Sequence, residues 1–254
     1  MRGLQAFLKK DLKEVMKTYR IYVIPSVFIF FGLVSPIIAY YLPDILASMA
    51  GEVTVELPTP AWHDAFDQYF SNTGQMGVLA IILALMGVIA DERARGIINM
   101  VFYRPVSRMT YVFSKFLAYG LLLTASIFIS FLACYYNSTV LFEGVPLSVT
   151  FQATFVFWIY ALFIAAMTIA ASAVFTSNVA AGGVSLGGLI LVFLLPYTHQ
   201  FFDTYFPGAL QDSIDEILRG TTTMGDVLPA ILGTILLALF LLGIGGYIFN
   251  RQEI

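Results

Sequence analysis

Asp91-Glu92-Arg93-Ala94-Arg95-Gly96, followed by Arg104-Pro105-Val106-Ser107-Arg108, forms a short charged block between two apolar runs, residues 75–90 and 111–135. The second run reads YVFSKFLAYGLLLTASIFISFLACY, with a single charge, Lys115, near its start. About 20 mostly apolar residues in a helix cross the hydrocarbon core of a bilayer, and this run exceeds that length. Four further runs of the same kind, 21–42, 151–175, 180–199 and 227–250, bring the total to six. The run at 75–90 is the shortest and can start as early as Tyr69. The chain is therefore expected to be an all-α integral membrane protein with six transmembrane helices.

Composition agrees. Of 254 residues, 59% are hydrophobic and 11% charged, where a soluble domain carries about a quarter charged residues. The net charge of −3 argues against nucleic acid, which selects for clustered positive charge. One cysteine, Cys134, excludes an intrachain disulfide.

Lysine and arginine orient the spans. Arg2, Lys9, Lys10, Lys13, Lys17 and Arg20 precede the first run; Arg93, Arg95, Arg104 and Arg108 follow the second; Arg251 follows the last. Residues 43–74 contain no lysine or arginine but carry Asp44, Glu52, Glu56, Asp64 and Asp67. Both termini and the 91–110 loop are thus expected in the cytoplasm, with the 43–74 segment and Arg219 outside.

Residues 1–20 read as an amphipathic helix in the headgroup plane. Leu4, Phe7, Leu8, Leu12, Val15, Met16 and Tyr19 recur at helical spacing, with Lys9, Lys13 and Lys17 opposite. Residues 21–254 read as one membrane domain. In the outer segment, Trp62, Phe66, Tyr69 and Phe70 share a helical face and are expected to anchor an interfacial helix that runs into the second span. A short helix is expected at 210–218 in the other outer segment. Pro25 and Pro36 are expected to bend the first span. Gly183 and Gly187 suit close packing, within one chain or between two.

The absent chemistry is informative. No charged residue falls mid-span, as ion-coupled carriers usually require. No Gly-Lys pair occurs, so there is no phosphate-binding loop of the G-x-x-x-x-G-K-[ST] kind. His63 and His199, the only histidines, are far apart, so neither a metal site nor a hydrolase centre is expected. Six spans without their own energy source point to a transporter driven by a partner. A self-contained carrier or channel, and a membrane regulatory or assembly factor, are the alternatives.

The charged block offers a place for a partner to act. Asp91 and Glu92 end the second span. Ile97, Ile98, Val101 and Phe102 have helical spacing, so 96–103 can form a short amphipathic helix. Pro105 disfavours helix at Arg104, and Ser107 suits the N-cap of the third span.

The order Glu92, Gly96, a short apolar stretch, Arg104-Pro105-Val106-Ser107-Arg108 and then Lys115 resembles the first cytoplasmic loop of type-2 ATP-binding-cassette permeases, with Ile97 where threonine is common. The resemblance implies an elbow-like N-terminal helix and a coupling helix formed around Gly96, Ile97, Ile98, Val101 and Arg104, docked on a separate cytoplasmic ATPase. Glu92 and Arg93 would help hold that helix. Pro105, Ser107 and Arg108 belong to the same coupling set, and Arg108 and Lys115 would fix the loop to the third span. Thr176, Ser177 and Asn178 would form a second cytoplasmic contact. It further implies a pair of permeases, as homodimer or heterodimer, in a prokaryotic plasma membrane. They would work as an exporter, with ATP and magnesium held by the ATPase and no cofactor in this chain. Substrate is not implied.

Overall fold

A computed structural model describes residues 2–50, 59–96, 98 and 107–252. Among them there is no strand, and six helical segments are long and apolar enough to cross a membrane: Arg20–Leu46, Trp62–Ala94, Arg108–Leu141, Leu147–Val174, Asn178–Tyr197 and Met224–Arg251. Each overlaps one of the apolar runs of the sequence. The protein is a multi-pass, all-α membrane protein.

The first helix, α1 (Arg2–Lys17), precedes α2 (Arg20–Ala50), which continues through Pro25, Pro36 and Pro43. The second span comprises α3 (Trp62–Asn72), a π-turn at Thr73–Gly77, α4 (Val78–Leu85) and α5 (Ala90–Ala94). The remaining spans are α6 (Arg108–Leu141), α7 (Leu147–Val174), α8 (Asn178–Leu194) and α11 (Met224–Arg251). Between α8 and α11 lie α9 (Gln200–Tyr205) and α10 (Pro207–Leu218), two helices where one was expected. With six spans, both chain ends lie on one face, here the terminal face; α3, α9 and α10 lie toward the other, distal face.

The core is built around α7, which packs against α4, α6, α8, α10 and α11. Its small residues allow this. Ala161, Ala165, Ala166 and Ala173 are fully buried, and Gly245 of α11 comes so close that a Cβ there would meet Ala170 Cα at 3.0 Å. Small residues at such crossings let backbones approach and pack by dispersion, since lipid supplies no hydrophobic drive between helices. Outside the core, Phe30, Leu33, Ile190, Leu191, Leu236 and Phe240 are exposed, as suits helices bathed in acyl chains.

The second span begins earlier than its apolar run. This overturns the expected anchoring role for its aromatic face: Phe66 and Tyr69 are fully buried and Phe70 nearly so. Phe66 packs 6.4 Å from Phe131, and Phe70 lies 5.6 Å from Phe157, centroid to centroid. Because the helix starts at Trp62, this face turns toward α6 and α7 rather than toward headgroups. In α8, Gly182 and Gly188 approach Met86 and Met167, whereas a Cβ at Gly183 or Gly187 would meet nothing within 4 Å among the described residues outside its own helix backbone.

Residues 86–89 interrupt the second span. Backbone groups freed inside a membrane must find partners, and two side chains supply them. Ser172 Oγ of α7 accepts from Ile89 N–H at 3.0 Å and Ala90 N–H at 3.1 Å. Arg20 Nε donates to the Ala84 carbonyl at 2.7 Å. The short helix α5 is thereby set off from the rest of its span.

Candidate functional site

On the terminal face α5 leads into the charged loop. Gly96 has φ of +69°, a left-handed conformation that favours glycine, and its N–H donates to the Arg93 carbonyl at 2.9 Å. It therefore terminates α5, which corrects the expectation that Gly96 begins the next helix. Ile98 is helical and buried. Ile97, Val101, Arg104 and Pro105 lie outside the described residues. Ser107 caps α6, its Oγ accepting from Thr110 N–H at 3.2 Å.

Glu92 of α5 and Lys115 of α6 meet in a buried cluster. Lys115 Nζ lies 2.6 Å from Glu92 Oε1, 2.8 Å from Glu14 Oε2 and 3.4 Å from Asp11 Oδ1. Lys115 and Asp11 are fully buried, and Glu92 is 8% exposed. Tyr111 donates its hydroxyl to Glu92, and Ser114 donates to Asp11. Lys10 stands 3.7 Å from each of Asp11, Glu14 and Glu92. A charge buried this deeply is costly unless paired and hydrogen-bonded, and here each carboxylate has a cation within reach. Burial pushes the Glu14 carboxyl up, but the Lys115 charge and hydrogen bond outweigh it, leaving Glu14 below the usual carboxylate range.

The cluster binds three elements at one point: α1 through Asp11 and Glu14, α5 through Glu92, and α6 through Lys115. The sequence reading missed Asp11 and Glu14. It placed Met16 and Tyr19 in the apolar stripe of α1, yet both are exposed, at 68% and 59%. The missed signal was Asp11 itself, a carboxylate flanked at helical spacing by Phe7, Leu8, Leu12 and Val15, with Lys115 unpaired in an apolar run.

Arginines tie the same region to α7 and α11. Arg93 Nη2 donates to the Ala173 carbonyl at 2.6 Å, and its guanidinium lies 4.9 Å from the Phe249 ring centre. Arg108 Nη1 donates to the carbonyls of Phe249 at 2.9 Å and Gln252 at 2.7 Å. Arg108, expected to fix the loop to its own span, also grips the end of α11. Unpaired carbonyls and the negative dipole end of that helix attract a cation.

The second expected contact adjoins the first. Asn178 donates to Asp91, joining the start of α8 to α5, while Thr176 and Ser177 are exposed. Arg20, almost wholly buried, donates to the Tyr119 hydroxyl at 2.9 Å and reaches within 3.8 Å of Asp91. Among the described residues, His63 contacts its neighbours Trp62 and Asp64, and His199 accepts from Phe201 N–H. No group of three or more His, Cys, Asp or Glu among the described residues is arranged to hold a metal ion.

The short helix α5 is thus held by ion pairs and a carbonyl contact to four other helices, α1, α2, α6 and α7. Comparison with known proteins bears on its use. Residues 5–254 match the family described as ABC-2 family transporter protein. The chain is also similar to the uncharacterized transmembrane protein YxlG of Bacillus subtilis (strain 168), 26% identical over 151 residues. That match covers 58% of this chain and 58% of the relative.

Proposed function

The chain belongs to the ABC-2 transporter family, and we propose that it is the membrane-spanning permease subunit of an ATP-driven exporter, powered by a separate cytoplasmic ATPase. The terminal face lies in the cytoplasm of a prokaryotic cell, as the bias of lysine and arginine supports. The loop that follows Gly96, through Arg104, docks on the ATPase as the coupling element, and Thr176, Ser177 and Asn178 provide a second, smaller contact. Two permease copies pair, each with its ATPase.

The observation that carries this reading is the Glu92–Lys115 ion pair with Asp11 and Glu14 around it. It sits at the root of the loop. A displacement of the loop passes through it to α1 and α6, while Arg93 and Arg108 pass it to α7 and α11. The interruption at 86–89 lets α5 move with the loop instead of with the rest of its span. ATP-driven closure of the ATPase pair would thus reach the spans without any Asp, Glu, Lys, Arg or His in the middle of the membrane.

Site-specific crosslinking tests the docking. With Cys134 replaced by alanine, Arg104→Cys is expected to crosslink to an ATPase subunit in native membranes through a short bis-maleimide. Thr221→Cys, on the distal face, is not. Absence of an ATPase adduct from position 104, with the protein inserted normally, would count against this assignment.

A further inference from the structure

A cleft of about 420 Å³ opens on the distal face between the second span and α10, within the ~300–1,000 Å³ of small-molecule sites. Phe70 of α3, Phe157 of α7 and Phe193 of α8 form its apolar wall. Asp67 of α3 and Asp212 and Asp215 of α10 form its polar side, with Arg219 beside them. The π-turn contributes Gly74 and Gln75. A Cβ at position 74 would stand 3.0 Å from Gln211 Nε2 across the cleft. Such π segments inside α-helices recur at functional sites.

The charges do not cancel. Three carboxylates face one guanidinium, and that guanidinium is already engaged, by Asp67 at 2.8 Å and Asp215 at 2.8 Å. Asp212 has no cationic partner among the described residues. Its carboxyl is pushed above the usual range by burial and by the neighbouring carboxylates of Asp203 and Glu216, so the local field is negative. Asp67 Oδ1 is buried without a hydrogen-bond donor among the described residues. The carboxylates of the cleft do not converge as a metal site would require, since no three His, Cys, Asp or Glu among the described residues are grouped to hold an ion. An organic cation with an apolar body suits both halves: its charge meets the carboxylates, and its body lies on the exposed ring of Phe193, behind which Phe70 and Phe157 are buried, and a ring face also attracts cations.

We propose that this cleft binds amphipathic organic cations, and that such molecules are a cargo class of the transporter. The second clause rests on the permease reading; the binding itself does not. The cleft joins elements from the second, fourth and fifth spans, so an occupant there touches parts that coupled movement would displace.

Tetraphenylphosphonium and tetraphenylborate have one shape and opposite charges, and they are the probes. Binding of each is measured by equilibrium dialysis to the full chain in lipid nanodiscs, with empty nanodiscs subtracted. Saturable binding of tetraphenylphosphonium is expected, and none of tetraphenylborate. Asp212→Asn, an exposed position, is expected to weaken it about tenfold, the effect of losing one charge-assisted contact. Phe193→Ala, also exposed, weakens it severalfold. No saturable binding of the cation, equal binding of both ions, or native affinity in both variants would overturn the proposal. No ATPase is present in this assay, so its failure leaves the permease reading to be judged by ATPase capture alone.

Discussion

Glu92 Oε1 and Lys115 Nζ are 2.6 Å apart, both side chains nearly or fully excluded from solvent, and they join the end of the second span to the start of the third. The pair is not merely local. Asp11 and Glu14 bring α1 to the same ammonium, so one cation holds three helices. Removing it would leave three carboxylates with only the half-exposed Lys10 for compensation.

Lys115→Met is therefore expected to be strongly destabilising, by about 3–5 kcal/mol, the cost of breaking a buried pair from one side. Glu92→Gln should cost less, because Glu14 and Asp11 still pair with the lysine. The double variant should cost less than the sum of the two, since the residues share one network. Thermal unfolding of the detergent-solubilised chain reads all three. Strict additivity would show that the pair is not coupled.

Acid should loosen α1. The Glu14 carboxyl is held below its ordinary value of 4.5 in the folded protein. A depressed carboxylate contributes stability above its unfolded pKa and loses it as pH falls through the folded one. Stability should thus drop below about pH 4.5, and Glu14→Gln should remove part of that dependence while lowering stability at pH 7. Unfolding midpoints at pH 7, 5 and 4 check this, and an unchanged pH slope in the variant would contradict it.

Ser172→Ala strips the Ile89 and Ala90 N–H groups of their acceptor. Leaving buried donors unsatisfied costs about 1–3 kcal/mol. Faster hydrogen exchange at residues 89 and 90 should accompany the loss, while α4 keeps its protection. Equal exchange in both proteins would mean that another acceptor takes over.

Glycines in two spans should behave oppositely. Gly245→Val pushes a branched side chain into the backbone of Ala170 and should prevent normal packing of α11 on α7. Gly187→Ala meets open space and should leave the unfolding temperature of the separate chain unchanged or slightly raised. A shift of oligomeric state in Gly187→Ala, read by light scattering, would place that position at the contact between two copies.

The six spans were legible because a bilayer demands long apolar runs. The Ser107 cap was legible for a local reason, a hydroxyl one residue before a helix. The α1 half of the cluster at Lys115 was not, because Glu14 lies 101 positions from Lys115 and Asp11 103 from Ser114, whereas Glu92 is only 23 away. The charges of α1 looked like a solvated face until a second helix covered them. Tyr69 and Phe70 were misplaced for another reason. Aromatic residues suit headgroups and protein core alike, and only the neighbouring α6 and α7 distinguish the two. The Arg108 contact with α11 reaches 141 and 144 positions along the chain, and no local pattern announces it.

Capture of an ATPase subunit tests the central claim most directly. The tagged full chain is extracted from its native membrane in mild detergent, and its partners are identified and quantified by mass spectrometry. A second chain carries a Gly-Ser linker of equal length in place of residues 96–104. The account predicts a stoichiometric ATPase subunit with the first chain and its loss from the second, which inserts and elutes normally. An intact chain that emerges from several gentle detergents without any ATPase, or an ATPase retained by the linker variant, would contradict it.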